Sequence, residues 1–282
     1  MKTILFPTDF SDNSMHAAQY AAMLAQRYDA KLILLHVYNI PINIGPEYST
    51  LDNNLKMDEE LQKIAKVNLD VFAKKLVHLF HLPEVQVKQI IEFGFVTEAI
   101  NQAAEEFHVD MVVIGTKGVS NQLDKIIGSN AESVIKTAPC PVWVVPVNAS
   151  IHAPNLFLYA ADLEENESKA TQLLMDFASP FAAECKVVHI REYFDKELEQ
   201  KNNESIESLK KEFAGKKITF KELTRKETVE GIETYAGNIN PDVLALGVYD
   251  KTFFSNMFNS SIVKHFVEES KIPMLIFKKE KS

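Results

Sequence analysis

Gly115, Gly118 and Gly128-Ser129 form the pattern G-x2-G-x9-G-S, which directly follows a β-branched run and directly precedes a stretch of helical periodicity. Glycine lets the main chain aim its N–H groups at an anion with no side chain in the way, and a helix N-terminus adds unbonded N–H groups and a favourable dipole. The combination suits phosphate. It is neither a Walker loop, which needs G-x4-G-K-[ST], nor the dinucleotide fingerprint, whose glycines follow the first strand. A reading without ligand stays open, because Ser129 and Glu132 have the spacing of a capping box and Gly128 could simply end the loop. Lys117 and Lys125 lie inside the loop, where they could neutralise phosphate or face solvent.

Asp9 closes the first apolar run, TILFPTD. A carboxylate there suits ribose hydroxyls, an adenine amino group or a bound Mg2+ better than phosphate itself. The alternative is an N-cap for the helix that starts near Ser11 to Ser14. Histidines are scattered, none with a metal-ligand partner at the right spacing, and His36 and His189 read as structural. Cys140 and Cys185 form neither a CxxC nor a disulfide framework. No G-x-S-x-G elbow, HExxH or paired-carboxylate signature appears.

The elements that must carry these residues repeat. Asp9 and Asp162, and His36 and His189, are each 153 residues apart, whereas Asp110 and Asp242, Gly115 and Gly247, and Pro141 and Pro273 are each 132 apart. The second copy is thus 21 residues shorter between its second and third strands. In the first copy, apolar runs at Thr3–Phe6, Lys31–Val37, Val85–Ile91, Asp110–Ile114 and Pro141–Val145 read as buried parallel strands. Helical periodicity fills the intervals, as in an open doubly wound sheet. The second copy repeats it with strands near 156–160, 186–190, 217–223, 242–246 and 273–277, so domains are expected at 1–148 and 149–282. Asp9 and the glycine loop can share a site only if strands one and four are neighbours, which gives the order 3-2-1-4-5 and a ligand crevice at the switch between them.

The chain resembles a tandem universal stress protein, two domains of the UspA family fused head to tail. The resemblance rests on the undeparted match of Gly115, Gly118, Gly128 and Ser129 to the motif of the ATP-binding branch. It implies two Rossmann-like, adenine nucleotide alpha hydrolase-like domains, with ATP, ADP or AMP as ligand and Mg2+ as an optional companion. It further implies nucleotide contacts at Pro7, Thr8 and Asp9 after the first strand, at Val37 facing adenine, and at Asn130 through its main chain. Family members commonly pair through their fifth strands, so an intramolecular pseudo-dimer through Pro141–Val145 and Pro273–Phe277 is expected, with further homo-oligomerisation left open. The second half departs from the motif: Gly118 is answered by Asp250 and Gly128 by Ser260. A carboxylate about 4 Å from a phosphate costs ~4 kcal/mol at an effective dielectric near 20, roughly a thousandfold in affinity. One nucleotide per chain is therefore expected.

Composition bounds the alternatives. The 282 residues carry 30 basic and 39 acidic side chains, net -9. Neither half is basic, which argues against nucleic acid as a partner. No stretch approaches the ~18 apolar residues of a membrane span, and the start of the sequence lacks signal-peptide features, so a reducing cytoplasm is expected. Lys278-Lys279-Glu280-Lys281 reads as a solvated end, and Asn39 to Leu55 as either a lid or a surface insertion. Function resolves to a nucleotide-responsive binding or signalling module with an unidentified protein partner. The rivals are a slow ATPase or adenylate-transferring enzyme, and a structural or chaperone-like protein indifferent to nucleotide. Thr116, Ser120 and Ser129 are poor bases, which favours binding over turnover.

Overall fold

The structure is a computed structural model that describes residues 1–40, 51–116, 128–164, 166–192, 199–249 and 261–279. Gly118, Lys117, Ser120, Lys125, Asp250, Ser260 and most of the loop before α2 lie outside the described residues. The chain divides into two compact units, Met1–Val142 and Trp143–Ser282.

The first half runs β1 (Thr3–Pro7), α1 (Asp12–Tyr28), β2 (Lys31–Tyr38), α2 (Leu51–Phe80), β3 (Val87–Phe93), α3 (Val96–Glu106), β4 (Met111–Gly115), α4 (Ser129–Thr137) and β5 (Val142–Val145). Its strand order is β3-β2-β1-β4-β5. The pairs β1–β2, β1–β4 and β2–β3 are parallel, with Ile4 opposite both Leu32 and Met111. Ile4, Leu5, Leu32, Leu34 and Met111 to Val113 are all sealed from water, which is why these strands read as continuous apolar runs. Right-handed crossovers put the helix after β1 and the helix after β3 on opposite faces, because the chain moves outward in one case and back across the sheet in the other. Accordingly α1 packs with α2, and α3 with α4. The buried face of α1 is built from Ala17, Ala18, Ala21, Ala22 and Ala25, small enough to bring the helix close to the sheet.

The second half repeats the plan with β6 (Leu156–Ala161), α5 (Glu167–Ala178), β7 (Glu184–Glu192), α6 (Glu199–Glu212), β8 (Ile218–Arg225), α7 (Thr228–Ile239), β9 (Val243–Tyr249), α8 (Ser261–Glu269) and β10 (Met274–Lys279). Its order is β8-β7-β6-β9-β10, every neighbouring pair parallel. The fold expected from the sequence is the fold observed. One strand is displaced: β3 starts two residues later than its apolar run because Pro83 opens a 3-10 turn over Glu84–Gln86. That turn lets the Gln86 amide donate to the Ala30 carbonyl at 2.7 Å.

Matched latches start both sheets. The Asp110 carboxylate accepts from the main-chain N–H groups of Lys2 and Thr3 at 2.7 and 2.9 Å. Asp242 does the same for Asn155 and Leu156 at 2.7 and 3.0 Å. Each aspartate, at the head of the fourth strand, satisfies two donors that the first strand would otherwise leave without a sheet partner.

Candidate functional site

The loop after β1 is folded by its own side chains. The Thr8 N–H continues the ladder to the Leu35 carbonyl at 2.8 Å. The Thr8 hydroxyl accepts from the Phe10 N–H at 3.0 Å and from the Ser14 hydroxyl at 2.8 Å. Phe10 adopts φ 64, a left-handed turn that points the chain into α1. Its ring stacks on His36 with centroids 4.2 Å apart. The N-cap of α1 is Ser11, whose hydroxyl accepts from the Ser14 N–H. Asp9 is therefore not the cap; its Oδ1 accepts from the Ser11 N–H and hydroxyl at 3.0 and 2.6 Å and holds the turn.

His36 has a structural partner, its Nδ1 lying 2.8 Å from the Thr8 carbonyl. His189 makes the same contact with the Ala161 carbonyl at 2.9 Å, both members shifted by 153 residues. The repeat thus extends to individual hydrogen bonds.

At the other wall, the Gly128 N–H donates to the Thr116 carbonyl at 2.9 Å and brings the end of β4 to the start of α4. The N-cap of α4 is Gly128, at φ -60 and ψ 136, and no side chain caps it. Ser129 is the first helical residue, so the capping-box reading of Ser129 and Glu132 does not hold; Glu132 instead pairs with Lys136 at 2.5 Å. The N–H groups of Ser129, Asn130 and Ala131 have no preceding helical carbonyl to bond. A Cβ on Gly128 would meet only the Thr116 carbonyl, at 3.6 Å, so neither backbone angle nor crowding demands glycine there.

Between these walls lies a cavity of about 350 Å³ at the carboxyl ends of β1, β2 and β4. Pro7, Thr8 and Asp9 line it from β1, Val37 from β2, Gly115 from β4, and Gly128, Ser129 and Asn130 from the start of α4. Every site residue expected from the sequence other than Gly118 is brought to this one cavity. Thr116, weighed as a base from the sequence, lines it too, whereas sequence reading alone missed Ser14, Leu35 and Val96, which also line it. Ser14 could have been found from its spacing three residues past the Ser11 cap. Val96 has no signal, since only the return of the chain from β3 into α3 carries it there.

The matching region of the second half is built differently. It holds a cavity of about 240 Å³ lined mainly by apolar residues, with Asp162, His189, Thr228 and Gly247 among them. Behind two of its lining residues, Asp162 and Gly247, lies Lys279. The Lys279 ammonium donates to Glu167 at 2.8 Å and to Asp162, the counterpart of Asp9. The expectation that Lys279 is solvated is overturned, for its side chain has no exposed surface. The stem of Lys279 packs across Gly247, where an added Cβ would lie 2.8 Å from Lys279 Cδ and 3.0 Å from the Tyr159 hydroxyl. Burial pushes the Glu167 carboxyl up to about 7 against the opposing pull of Lys279, with the Asp162 charge adding to the rise. Burial alone would depress the Lys279 ammonium, but Glu167 and Asp162 hold it above its ordinary range. Repeat arithmetic contained the signal: Glu167 replaces Ser14 and Lys279 replaces Val147, an acid and a base introduced together.

Among the described residues no group of three or more His, Cys, Asp or Glu is placed to hold a metal ion. No helix among them is long and apolar enough to cross a membrane.

The model of the universal stress protein family matches this chain twice, over residues 1–146 and 144–278. The chain belongs to the universal stress protein family. Universal stress protein G of Escherichia coli O157:H7 is 34% identical over 146 residues, which cover 51% of this chain and 98% of that protein. A universal stress protein from Archaeoglobus fulgidus DSM 4304 covers 99% of this chain and 98% of its own, with TM-score 0.68 and 19% identity, and so shares the tandem fold. Another solved universal stress protein is a complex with cAMP; it covers 52% of this chain and 97% of its own at 21% identity and TM-score 0.37.

Proposed function

We propose that residues 1–148 of this universal stress protein bind one adenine nucleotide, ATP or its ADP or AMP products, with Mg2+ accompanying the phosphates. One observation carries the reading. Asp9, Val37, Gly115 and the open helix start at Gly128, Ser129 and Asn130 converge on a single cavity at the switch point of the sheet. Its size falls within the ~300–1,000 Å³ of small-molecule sites. In this reading the amides of Ser129 and Asn130, with Gly118, cradle phosphate; Pro7, Thr8 and Val37 flank the adenine; and Asp9 holds ribose hydroxyls or the metal.

Residues 149–282 take no nucleotide in this reading. Lys279 neutralises Asp162 inside the fold, which leaves that carboxylate with a partner of its own. The hydroxyls beside the first cavity, Thr8 and Ser14, bond each other, and no described histidine lines it. Binding that alters the surface offered to a protein partner in the cytoplasm accounts for these residues better than turnover does.

The test is calorimetric titration of the whole chain with ATP-Mg, run beside thermal melting. One site per chain is expected, with a rise in melting temperature by mass action. Gly128→Asp should fold, since its backbone angles suit any residue, and should weaken binding by roughly a thousandfold through charge repulsion. Absence of binding at millimolar nucleotide, two equivalent sites, or an unaffected Gly128→Asp would each defeat the reading.

A further inference from the structure

The outer strand of the first sheet is β3, which stands at the end of the strand order and pairs with β2 alone. One hydrogen bond fixes which of its main-chain groups look outward. The N–H of Gly94, just past the strand, donates to the Tyr38 carbonyl at 3.2 Å. Gly94 and every second residue before it, Glu92, Ile90 and Lys88, therefore turn their N–H and carbonyl groups toward β2. Those of Gln89, Ile91 and Phe93 point away from the sheet, as does the Val87 carbonyl; the Val87 N–H is tied to the Glu84 carbonyl in the preceding turn. Among the described residues these outward groups meet no main-chain partner. The register with β2 runs unbroken from Val87 to Phe93, and Gln89, Glu92 and Phe93 are exposed. A regular, uncovered edge of this kind is a template for another strand.

The side chains say which strand. A second β3 running antiparallel makes a ladder only where outward residues meet outward residues, so the two-fold axis must fall on a residue and not between two. With the axis on Ile90 the whole strand is used. Gln89 of each copy exchanges both main-chain bonds with Ile91 of the other, and the Phe93 N–H donates to the Val87 carbonyl. The same register sets Lys88 opposite Glu92 at both ends, in the pairs whose side chains come closest, with Ile90 against Ile90 between them. On the other face Val87 covers Phe93, which is 57% exposed in the single chain. Moving the axis one residue either way leaves Lys88 or Glu92 opposite Ile90, and moving it two sets one of those charges against itself. Lys88 is held on its face by the Phe107 ring, 3.6 Å from the ammonium. On the α2 side Gln89 bonds Asp70, whose charge Lys74 already matches. The outer strand of the second half, β8, lacks such a register, because an axis at its middle falls on Lys221 or Glu222 and opposes like charges.

We infer that the open edge of β3 is a self-association surface on which two copies of this chain pair antiparallel about Ile90, with Lys88 of each against Glu92 of the other. The seam is seven residues long, about 23 Å, and one strand-to-strand seam falls short of the roughly 800 Å² per partner of a standard stable interface. The dimer is accordingly weak and reversible, formed at tens of micromolar or above. Each copy uses its one free β3 edge, so association closes at two. It is independent of the nucleotide reading.

Sedimentation equilibrium of the full chain without nucleotide, from ~5 µM to ~1 mM, provides the measurement. A monomer–dimer equilibrium is expected in the wild type. Gln89→Pro removes one outward N–H and leaves every bond to β2, so it should abolish the dimer with unchanged circular dichroism. Lys88→Glu and Glu92→Lys should each weaken self-association about tenfold, since both ion pairs become repulsions. An equimolar mixture of those two variants should recover wild-type affinity as a heterodimer, because both of its ends again join Lys to Glu. Amide exchange followed by NMR should slow at Gln89, Ile91 and Phe93 as the wild type is concentrated and stay constant at Lys88, Ile90 and Glu92. The inference is overturned by a wild type that stays monomeric throughout, by a dimer indifferent to Gln89→Pro, by a mixture that does not recover, or by protection that does not alternate along the strand.

Discussion

A methyl group added at Gly128 would sit 3.6 Å from the Thr116 carbonyl, an ordinary contact, while one added at Gly247 would sit 2.8 Å from the stem of Lys279. The two glycines therefore answer to different demands. At Gly247 the space is filled by a side chain of the same unit, so Gly247→Ala should lose about 1–3 kcal/mol of stability by overpacking. At Gly128 the space opens on the cavity, so Gly128→Ala should change stability by no more than ~0.5 kcal/mol. Urea denaturation of both variants checks the contrast. Equal losses would mean that the Gly128 position is set by packing, not by access to the cavity. The same comparison separates two reasons for a glycine that the sequence presents alike, since Gly247 stands where Gly115 stands in the first half and yet has Lys279 across it.

At the scale of the strand and helix, the aspartates at the heads of β4 and β9 are the latches that fix where β1 and β6 begin. Asp110→Ala and Asp242→Ala should each cost about 1 kcal/mol, by leaving two main-chain donors to find water. Hydrogen exchange at Lys2 and Thr3, or at Asn155 and Leu156, should quicken in the matching variant while the other unit's pair stays protected. Strands of this fold were legible because parallel strands covered on both faces have no polar alternation to obscure them, and the strand order followed from requiring Asp9 to meet the glycine loop. The start of β3 was not legible, since a 3-10 turn fixed by the reach of Gln86 to Ala30 is a tertiary fact. The start of α4 was ambiguous in the same way: Ser129 and Glu132 have capping-box spacing, and only the bond from the Glu132 N–H to the Gly128 carbonyl places the start of the helix one residue earlier. Lys279 was misread because a lysine in a charged terminal run ordinarily faces water. Its burial depends on carboxylates 112 and 117 residues away.

The whole molecule is two copies of one fold in which the same spot holds hydroxyls in one copy and charges in the other. Ser14 and Thr8 form a neutral pair in the first, and Glu167, Asp162 and Lys279 form a buried cluster with two acids to one base in the second. This cluster should therefore give the second unit a stability contribution that titrates near neutrality. Glu167 has an ordinary value of 4.5 and is raised by burial to about 7 in the folded chain. Between those values the folded state binds more protons than the unfolded one, so this group's contribution is full below about 4.5 and is lost as pH rises through about 7. The difference amounts to ~3 kcal/mol across the window. Trp143, the single tryptophan, lies in β5, sealed from water, with its ring edge-on to Phe157 at 6.1 Å, so its fluorescence reports unfolding. Urea unfolding of the wild type and Glu167→Gln should be compared by Trp143 emission at pH 5 and pH 8. Other titrating groups are common to both proteins and cancel in the difference. Relative to the variant, the wild type should lose stability between pH 5 and pH 8 by most of that amount. Parallel curves for the two proteins would show that Glu167 stays ionised in the folded state and that Lys279 alone governs the cluster.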